Sequence, residues 1–175
     1  MKQEINVFDY TTKICDAMRK GGVLLTTKAG DRVNTMTIGW GTLGVEWSTP
    51  IFTAFVRESR FTKEMLDNNP EFTVNIPVDQ PFSDVRLFCG RNSGRDVDKI
   101  KEMGLHLEEP QHISVPGIRE LPLTIECRVL YAQTQDLKGL PQELLDRYYP
   151  TDAAGNQDHH IAYYAEIVGA YLITE

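Results

Sequence analysis

A mainly β chain with a few short helices, its strands antiparallel and closed into a barrel, is the fold class this sequence predicts. Three observations carry that expectation. Runs rich in β-branched and aromatic residues recur along the whole length, from V-L-L-T-T at 23–27 to I-A-Y-Y at 161–164. The stretches between them carry Gly, Asn, Asp and Pro, the residues that turn a chain. Helical periodicity appears only in short, scattered pieces, without the regular alternation that a doubly wound parallel sheet requires. At 175 residues with 41% hydrophobic side chains, one globular domain over residues 1–175 has enough apolar content to bury a real core.

The elements follow in order. Asp9 to Lys20 predicts a short packing helix, with Ile14 and Met18 four apart on one face and Gly21 as its stop. V-L-L-T-T and V-N-T-M-T-I flank a turn carrying Gly30 and Asp31, which reads as a hairpin, and I-F-T-A-F-V predicts a third strand. Ser59 or Thr62 then caps a short helix over K-E-M-L-D-N-N that stops near Asn68 and Asn69, before Pro70. E-F-T-V-N-I is the fourth strand, closed by Pro77. Phe82 to Met103 predicts two short helices around C-G-R-N-S-G-R-D, where Gly90 and Gly94 permit a sharp change of direction. From Leu121 to Val129 apolar residues alternate with polar ones and Pro122, as in a half-buried strand whose inward face continues to Tyr131. P-Q-E-L-L-D-R-Y-Y predicts a helix, T-D-A-A-G-N-Q-D a polar loop, and I-A-Y-Y-A-E-I-V-G-A-Y-L-I the final strand.

Charge and motif content narrow the function. A net charge of −7 argues against a broad nucleic-acid or anionic-membrane surface, since both need a positive field. Positive charge is local. Arg57, Arg60 and Lys63 outweigh Glu58 and Glu64, and Arg86, Arg91, Arg95, Lys99 and Lys101 outweigh Asp96 and Asp98. Cys15, Cys89 and Cys127 lie far apart with no C-x-x-C spacing, so neither a zinc ribbon nor a dithiol redox site is expected, and a reducing compartment is the simplest reading. The first residues lack the apolar core of a secretory signal and no run is long enough for a transmembrane helix, which points to the cytoplasm. Neither G-x-S-x-G, H-E-x-x-H, G-x-G-x-x-G nor a P-loop occurs. Asp158, His159 and His160 are adjacent on an extended segment, so their side chains diverge and a metal site is not expected.

The stretch from Asn34 to Thr62 holds the main functional signal. Arg57, Ser59, Arg60 and Thr62 fall where a strand gives way to a helix, where free backbone N–H groups attract anions and a guanidinium can grip two phosphate oxygens. Upstream, Gly39 and Gly41 let the backbone lie against a ligand, and Met36 and Trp40 can pack on a planar ring. Together these suggest a nucleotide-like cofactor. Taken alone, the first set is as readily a capped helix start with solvated arginines, and the second a strand with a core tryptophan.

N-T-M-T-I-G-W-G followed by R-E-S-R-F-T resembles the flavin reductase-like family of FMN-binding split barrels, closest to its flavoredoxin-type branch, and the similarity runs from about Gly21 to Ile173. The resemblance implies an antiparallel split β-barrel that binds FMN. It places Ser59, Thr62 and at least one of Arg57 and Arg60, with Arg60 foremost, around the phosphate. Asn34, Thr35, Met36 and Thr37 would line the ring system and ribityl chain, with Trp40 nearby, and Cys89, Gly90, Ser93, Gly94 and Lys99 would approach from the following loop. An inert contact is expected of Cys89 rather than a reactive thiol. Family members carry Gly-Asp-His before the last strands; N-Q-D-H-H-I lacks that glycine, so either His159 or His160 takes the histidine's place near the flavin. The segment between Gln133 and His159 is longer than in compact relatives, which implies a remodelled substrate side. By the same resemblance the protein is a homodimer that passes electrons from NAD(P)H through FMN to an acceptor. Two alternatives stand beside it: an electron carrier with bound FMN reduced by a partner protein, and a split barrel recruited to work without FMN.

Overall fold

The computed structural model describes residues 1–78 and 82–174. A short strand β1 (Lys2–Glu4) and a 3-10 turn at Val7–Tyr10 precede α1 (Thr11–Arg19), which buries Ile14 and Met18 as their spacing requires. The chain leaves α1 through Gly21 and Gly22, at φ 138° and 111°; a Cβ on Gly22 would stand 2.6 Å from the Ile38 carbonyl oxygen, so only glycine fits this corner.

β2 (Val23–Ala29) and β3 (Arg32–Ile38) form the expected hairpin, paired from Val23 opposite Ile38 to Ala29 opposite Arg32. β4 (Gly41–Glu46) and β5 (Thr49–Arg57) form a second hairpin whose tip, Trp47 and Ser48, has positive φ at both positions. β4 was not among the expected strands; Gly41 and Gly44 interrupt its β-rich pattern. α2 (Phe61–Asn68) is capped at neither Ser59 nor Thr62: Arg60 is the extended residue before the helix, and Thr62 already lies in its first turn. β6 (Glu71–Ile76) matches its expected span. α3 (Ser83–Arg91) and α4 (Lys99–Glu102) are the two expected helices, and β7 (Leu107–Glu108) pairs with β8 (Gly117–Ile118) in a small separate ribbon. β9 (Leu123–Thr134), α5 (Gln142–Tyr148) and β10 (His160–Ile173) complete the chain.

The main sheet runs β3-β2-β6-β9-β10-β5-β4, with β1 added beside β10. Laid flat, its outer strands would stand about 29 Å apart at the usual interstrand spacing. Yet β3 and β4 are joined by Gly39 and Trp40 alone, a link that spans about 11 Å at most. The sheet is therefore rolled, and its two ends meet. Met36 and Ile38 of β3 accordingly share one buried core with Phe52, Ala54 and Val56 of β5. The ends do not pair: β3 bonds only β2, and β4 begins opposite Ala54, so Phe55 to Arg57 run past it along an open seam. This is a split barrel.

Two details of β9 differ from a half-buried strand. Thr124 and Glu126 are as inaccessible as Leu123, Ile125 and Cys127, because the 105–121 segment covers the outer face; the Glu126 carboxylate accepts the N–H groups of Gln111 and His112, each at 2.7 Å. Tyr131 is not on the inward face but 48% exposed. The β9–β10 ladder steps from Val129 opposite Ala165 to Tyr131 opposite Tyr164, and the extra residue, Leu130, reverses the alternation. No helix among the described residues is long and apolar enough to cross a membrane.

Candidate functional site

Three adjoining hollows follow the seam: a polar one of about 100 Å³ at the start of α2, a central one of about 180 Å³ between β3 and β5, and an outer chamber of about 850 Å³. Met36 and Arg60 line both the first and second; Gly39, Trp40 and Phe55 line both the second and third.

The polar hollow is built by β3, the β5–α2 junction and the 92–95 loop. α2 starts at Arg60 without a side-chain cap, which leaves first-turn N–H groups for another acceptor. The Thr62 hydroxyl accepts the Asn34 side-chain amide at 3.2 Å. Lys99 from α4 is 4% exposed, and its ammonium donates to the Cys89 carbonyl at 2.9 Å. Burial is the main cause that pulls the Lys99 amine down to about 8, with Arg60 adding to it and Cys89 opposing. Arg60 makes one long bond, to the Gly90 carbonyl at 3.4 Å. Neither cation has an ion pair with a carboxylate among the described residues, whereas Arg95 beside them is paired with Glu64. Gly94 lies against Asn34 so closely that a Cβ would come 2.0 Å from its amide oxygen. A buried ammonium, a second cation, an uncapped helix start and a glycine-lined wall fit a phosphoryl dianion.

In the central hollow, the His160 ring leans tilted against Trp40, centroids 4.8 Å apart at 42°, and its Nδ1 lies 2.9 Å from the Tyr149 hydroxyl. Burial above all, and then Arg57, holds His160 down to about 4, so the ring is neutral at ordinary pH. Met36 is buried beneath this slot, and Thr37 turns its hydroxyl to the Arg86 carbonyl at 2.7 Å.

The structure thus brings Asn34, Met36, Ser59, Arg60, Thr62, Ser93, Gly94 and Lys99 to the polar hollow, and Met36, Thr37, Trp40, Arg57, Arg60 and His160 to the central one. Of the two histidines, His160 lines the seam, while His159 places its Nδ1 3.1 Å from the Gln135 carbonyl. Three residues expected there line none of the three hollows. Thr35 is wholly buried and turns its hydroxyl into a network with Thr26 and the Leu25 carbonyl. Cys89 packs with Leu24, Leu105, Ile118 and Leu121, where burial pushes its thiol up to about 11 and keeps it protonated. Gly90 contributes its carbonyl to Arg60 and lies against Thr37. Two others are already engaged. Arg57 donates to the Asp158 and Tyr148 carbonyls, each at 2.7 Å, and Ser59 gives its hydroxyl (2.7 Å) and N–H (3.1 Å) to the Asp158 carboxylate. Arg57 therefore ties the 136–159 segment to the barrel rather than standing free.

Sequence reasoning missed Phe61 and Arg95, which meet in the polar hollow with Arg95 5.6 Å from the ring, and the whole outer chamber. Phe55, Gln135, Leu140, Leu144, Tyr148 and Tyr149 form most of that chamber. The length of the Gln133–His159 linker was the one available signal.

A family model for the flavin reductase like domain matches residues 16–175. An uncharacterized protein of Archaeoglobus fulgidus is 29% identical over 131 residues, covering 74% of this chain and 69% of its own. Flavoredoxin of Desulfovibrio vulgaris (Miyazaki F) superposes with a TM-score of 0.66 at 20% identity, over 87% of this chain and 69% of that one. Flavoredoxin from Methanosarcina acetivorans does so with a TM-score of 0.64 at 25% identity, over 87% and 68%.

Proposed function

The chain belongs to the flavin reductase-like family, and from that premise we propose that it is an FMN-binding flavoprotein that takes electrons from NAD(P)H and passes them to an acceptor. The observation that carries this reading is the pair of cations, Lys99 and Arg60, that lack carboxylate partners among the described residues beside the uncapped start of α2. A phosphate dianion would satisfy both cations and the free N–H groups at once. Thr62 and Ser93 stand at the same wall, and Met36, Trp40 and His160 supply a slot for a planar ring next to it.

When bound, FMN supplies the chemistry of hydride and single-electron exchange. The chain's own residues bind and orient. Lys99 and Arg60 fix one end; Met36, Trp40 and Phe55 give the seam apolar walls; neutral His160 offers a hydrogen-bonding nitrogen without adding charge. Hydride exchange between two stacked rings needs proximity more than a protein acid or base, so the site can work without a nucleophile–base pair. In keeping with the family, we propose that the protein acts as a homodimer.

The fold likeness to two flavoredoxins favours one other reading, an electron carrier reduced by a partner protein. Titration of the purified chain with FMN, read by flavin fluorescence, tests the common core: a saturable 1:1 complex is expected, and a folded protein with no affinity for FMN would overturn both readings. Anaerobic bleaching of the bound flavin by NADH or NADPH supports the enzyme. Bleaching only by a reduced protein supports the carrier.

A further inference from the structure

Three side chains, far apart in sequence, meet between the seam and the chamber. Gln135 follows β9, Tyr149 follows α5 and His160 opens β10. The Tyr149 hydroxyl donates to Gln135 Oε1 at 3.2 Å and lies 2.9 Å from His160 Nδ1. Other contacts hold the three in place. The Gln135 N–H donates to the His160 carbonyl at 2.9 Å, the Tyr149 carbonyl accepts the Gln157 side-chain amide at 2.8 Å, and the Arg57 guanidinium lies 5.2 Å from the Tyr149 ring. Tyr149 and His160 are both buried.

His160 has one nitrogen to spare. Burial, and then Arg57, keep its ring neutral at ordinary pH, and a neutral imidazole carries a single proton on one of two nitrogens. Nε2 makes no hydrogen bond among the described residues. The one sealed polar side-chain atom without a partner among those residues is the Tyr171 hydroxyl, so His160 Nε2 is open to the central hollow that the ring lines.

The direction of the relay decides where the proton sits. A phenol has one proton to give. With Tyr149 donating to Gln135, its oxygen accepts from His160 Nδ1–H, and Nε2 is left as a lone pair. Run the other way, the relay would point an Nε2–H into a hollow lined by Arg57 and Arg60. Two guanidinium groups favour a lone pair there over an N–H, so charge and hydrogen bonding select the same tautomer.

We propose that Gln135 and Tyr149 are positioning residues that hold the His160 proton on Nδ1 and so present Nε2 as a hydrogen-bond acceptor to the ring bound in the central hollow. The inference rests on the proposed function for the identity of that ring. Two-electron reduction turns a flavin ring nitrogen from an acceptor into an N–H donor, so an acceptor in the slot favours the reduced cofactor over the oxidised one. The long connection between Gln135 and His160 thereby acts on the cofactor's potential through one histidine.

NMR of the FMN-free protein with isotope-labelled histidine reads the tautomer directly; the His160 signals are those lost in His160→Gln. Nδ1–H is expected in the wild type. Gln135→Leu removes the acceptor, frees the Tyr149 proton to turn to His160 Nδ1 and should switch the ring to Nε2–H, whereas Gln135→Glu, whose carboxylate can only accept, should keep Nδ1–H. In the FMN-loaded Gln135→Leu variant the affinity for oxidised FMN should stay within about twofold of wild type. Its preference for the reduced flavin should fall about fivefold, the worth of one hydrogen bond, which lowers the potential by about 20 mV at ~30 mV per tenfold for a two-electron couple. Nε2–H in the wild type or in Gln135→Glu overturns the inference, as does Nδ1–H retained in Gln135→Leu, or a switched tautomer with an unchanged potential. Should FMN itself fail to bind, the proposed function falls, and the tautomers of the FMN-free proteins still decide the relay by the same outcomes.

Discussion

The polar hollow and the outer chamber lie at opposite ends of one seam, and they are held together in different ways. At the polar end almost every side chain is fixed by a named bond: Asn34 to Thr62, Lys99 to Cys89, Ser93 to the Arg95 N–H, and Arg95 to Glu64 and the Ser59 carbonyl. The Phe61 ring lies 4.5 Å from the Arg32 guanidinium and 5.6 Å from that of Arg95. The outer chamber has few such bonds and is shaped by aromatic and aliphatic contacts from segments distant in sequence, such as Trp40 edge-on to Tyr148 at 5.0 Å. The difference teaches where each kind of selectivity resides. One end is built from charge and preorganised donors, which cost stability before any ligand arrives; the other is built from shape, which costs little.

The sharpest test of that contrast is Lys99→Met, because stability and binding should move in opposite directions. Removing a buried ammonium is expected to raise the melting temperature of the FMN-free protein by about a few degrees, while FMN affinity falls roughly 10- to 150-fold. Thermal melts and flavin titration measure the two; a variant that loses both stability and affinity would break the comparison. Arg60→Ala should weaken FMN by a similar or somewhat smaller factor and leave stability nearly unchanged, since its one bond in the FMN-free protein is long.

The pH dependence follows from the same group. Lys99 is an ammonium below about 8 and an amine above, and the dianion prefers the ammonium. FMN affinity should therefore fall as pH rises through 8, by at most about tenfold per pH unit, and this limb should vanish in Lys99→Met. Stability of the FMN-free protein moves the other way. The folded-state value lies below the ordinary 10.5, the unfolded chain binds more protons between the two, and stability rises across that window. On the acid side, His160 is held to about 4 from 6.5, so stability is lost as pH falls from 6.5 towards 4. His160→Gln should flatten that slope, as read from urea midpoints at pH 5 and 7.

The smallest effect belongs to the bridge between seam and chamber. Tyr149→Phe removes the hydroxyl shared by His160 and Gln135 and should cost about 1 kcal/mol of stability, with FMN affinity within about twofold of wild type. A loss of FMN binding as large as that of Arg60→Ala would show that the chamber is not separate from the polar end.

Much of the polar end was legible beforehand because its residues are close in sequence and their types are informative: a strand ending in R-E-S-R-F-T and a glycine-bearing loop followed by a lysine. The side-chain partners were not legible. Arg57 and Arg60 are three apart and chemically alike, yet Arg57 is spent on the Tyr148 and Asp158 carbonyls, contacts 91 and 101 residues away in sequence. Cys89 and Thr35 looked equally available, and the second small core and the Thr26 network claim them. The outer chamber left almost no local trace, since no short stretch supplies more than part of its wall.

The period-two patterns, the Gly30–Asp31 turn and the Gly21 stop after α1 marked by themselves most of the long strands, though not β4, and that they pair antiparallel, because alternation and turn chemistry act between neighbouring residues. Which two edges of the sheet meet was decided only in three dimensions, through a link of two residues, Gly39 and Trp40, that forces the sheet to roll. That closure brings β3 opposite the bare end of β5, puts Lys99 and Arg60 into one hollow, and places the Gln135–Tyr149 segment over the far end. Burial and charge pairing depend on distances across the fold, and no local pattern carries them.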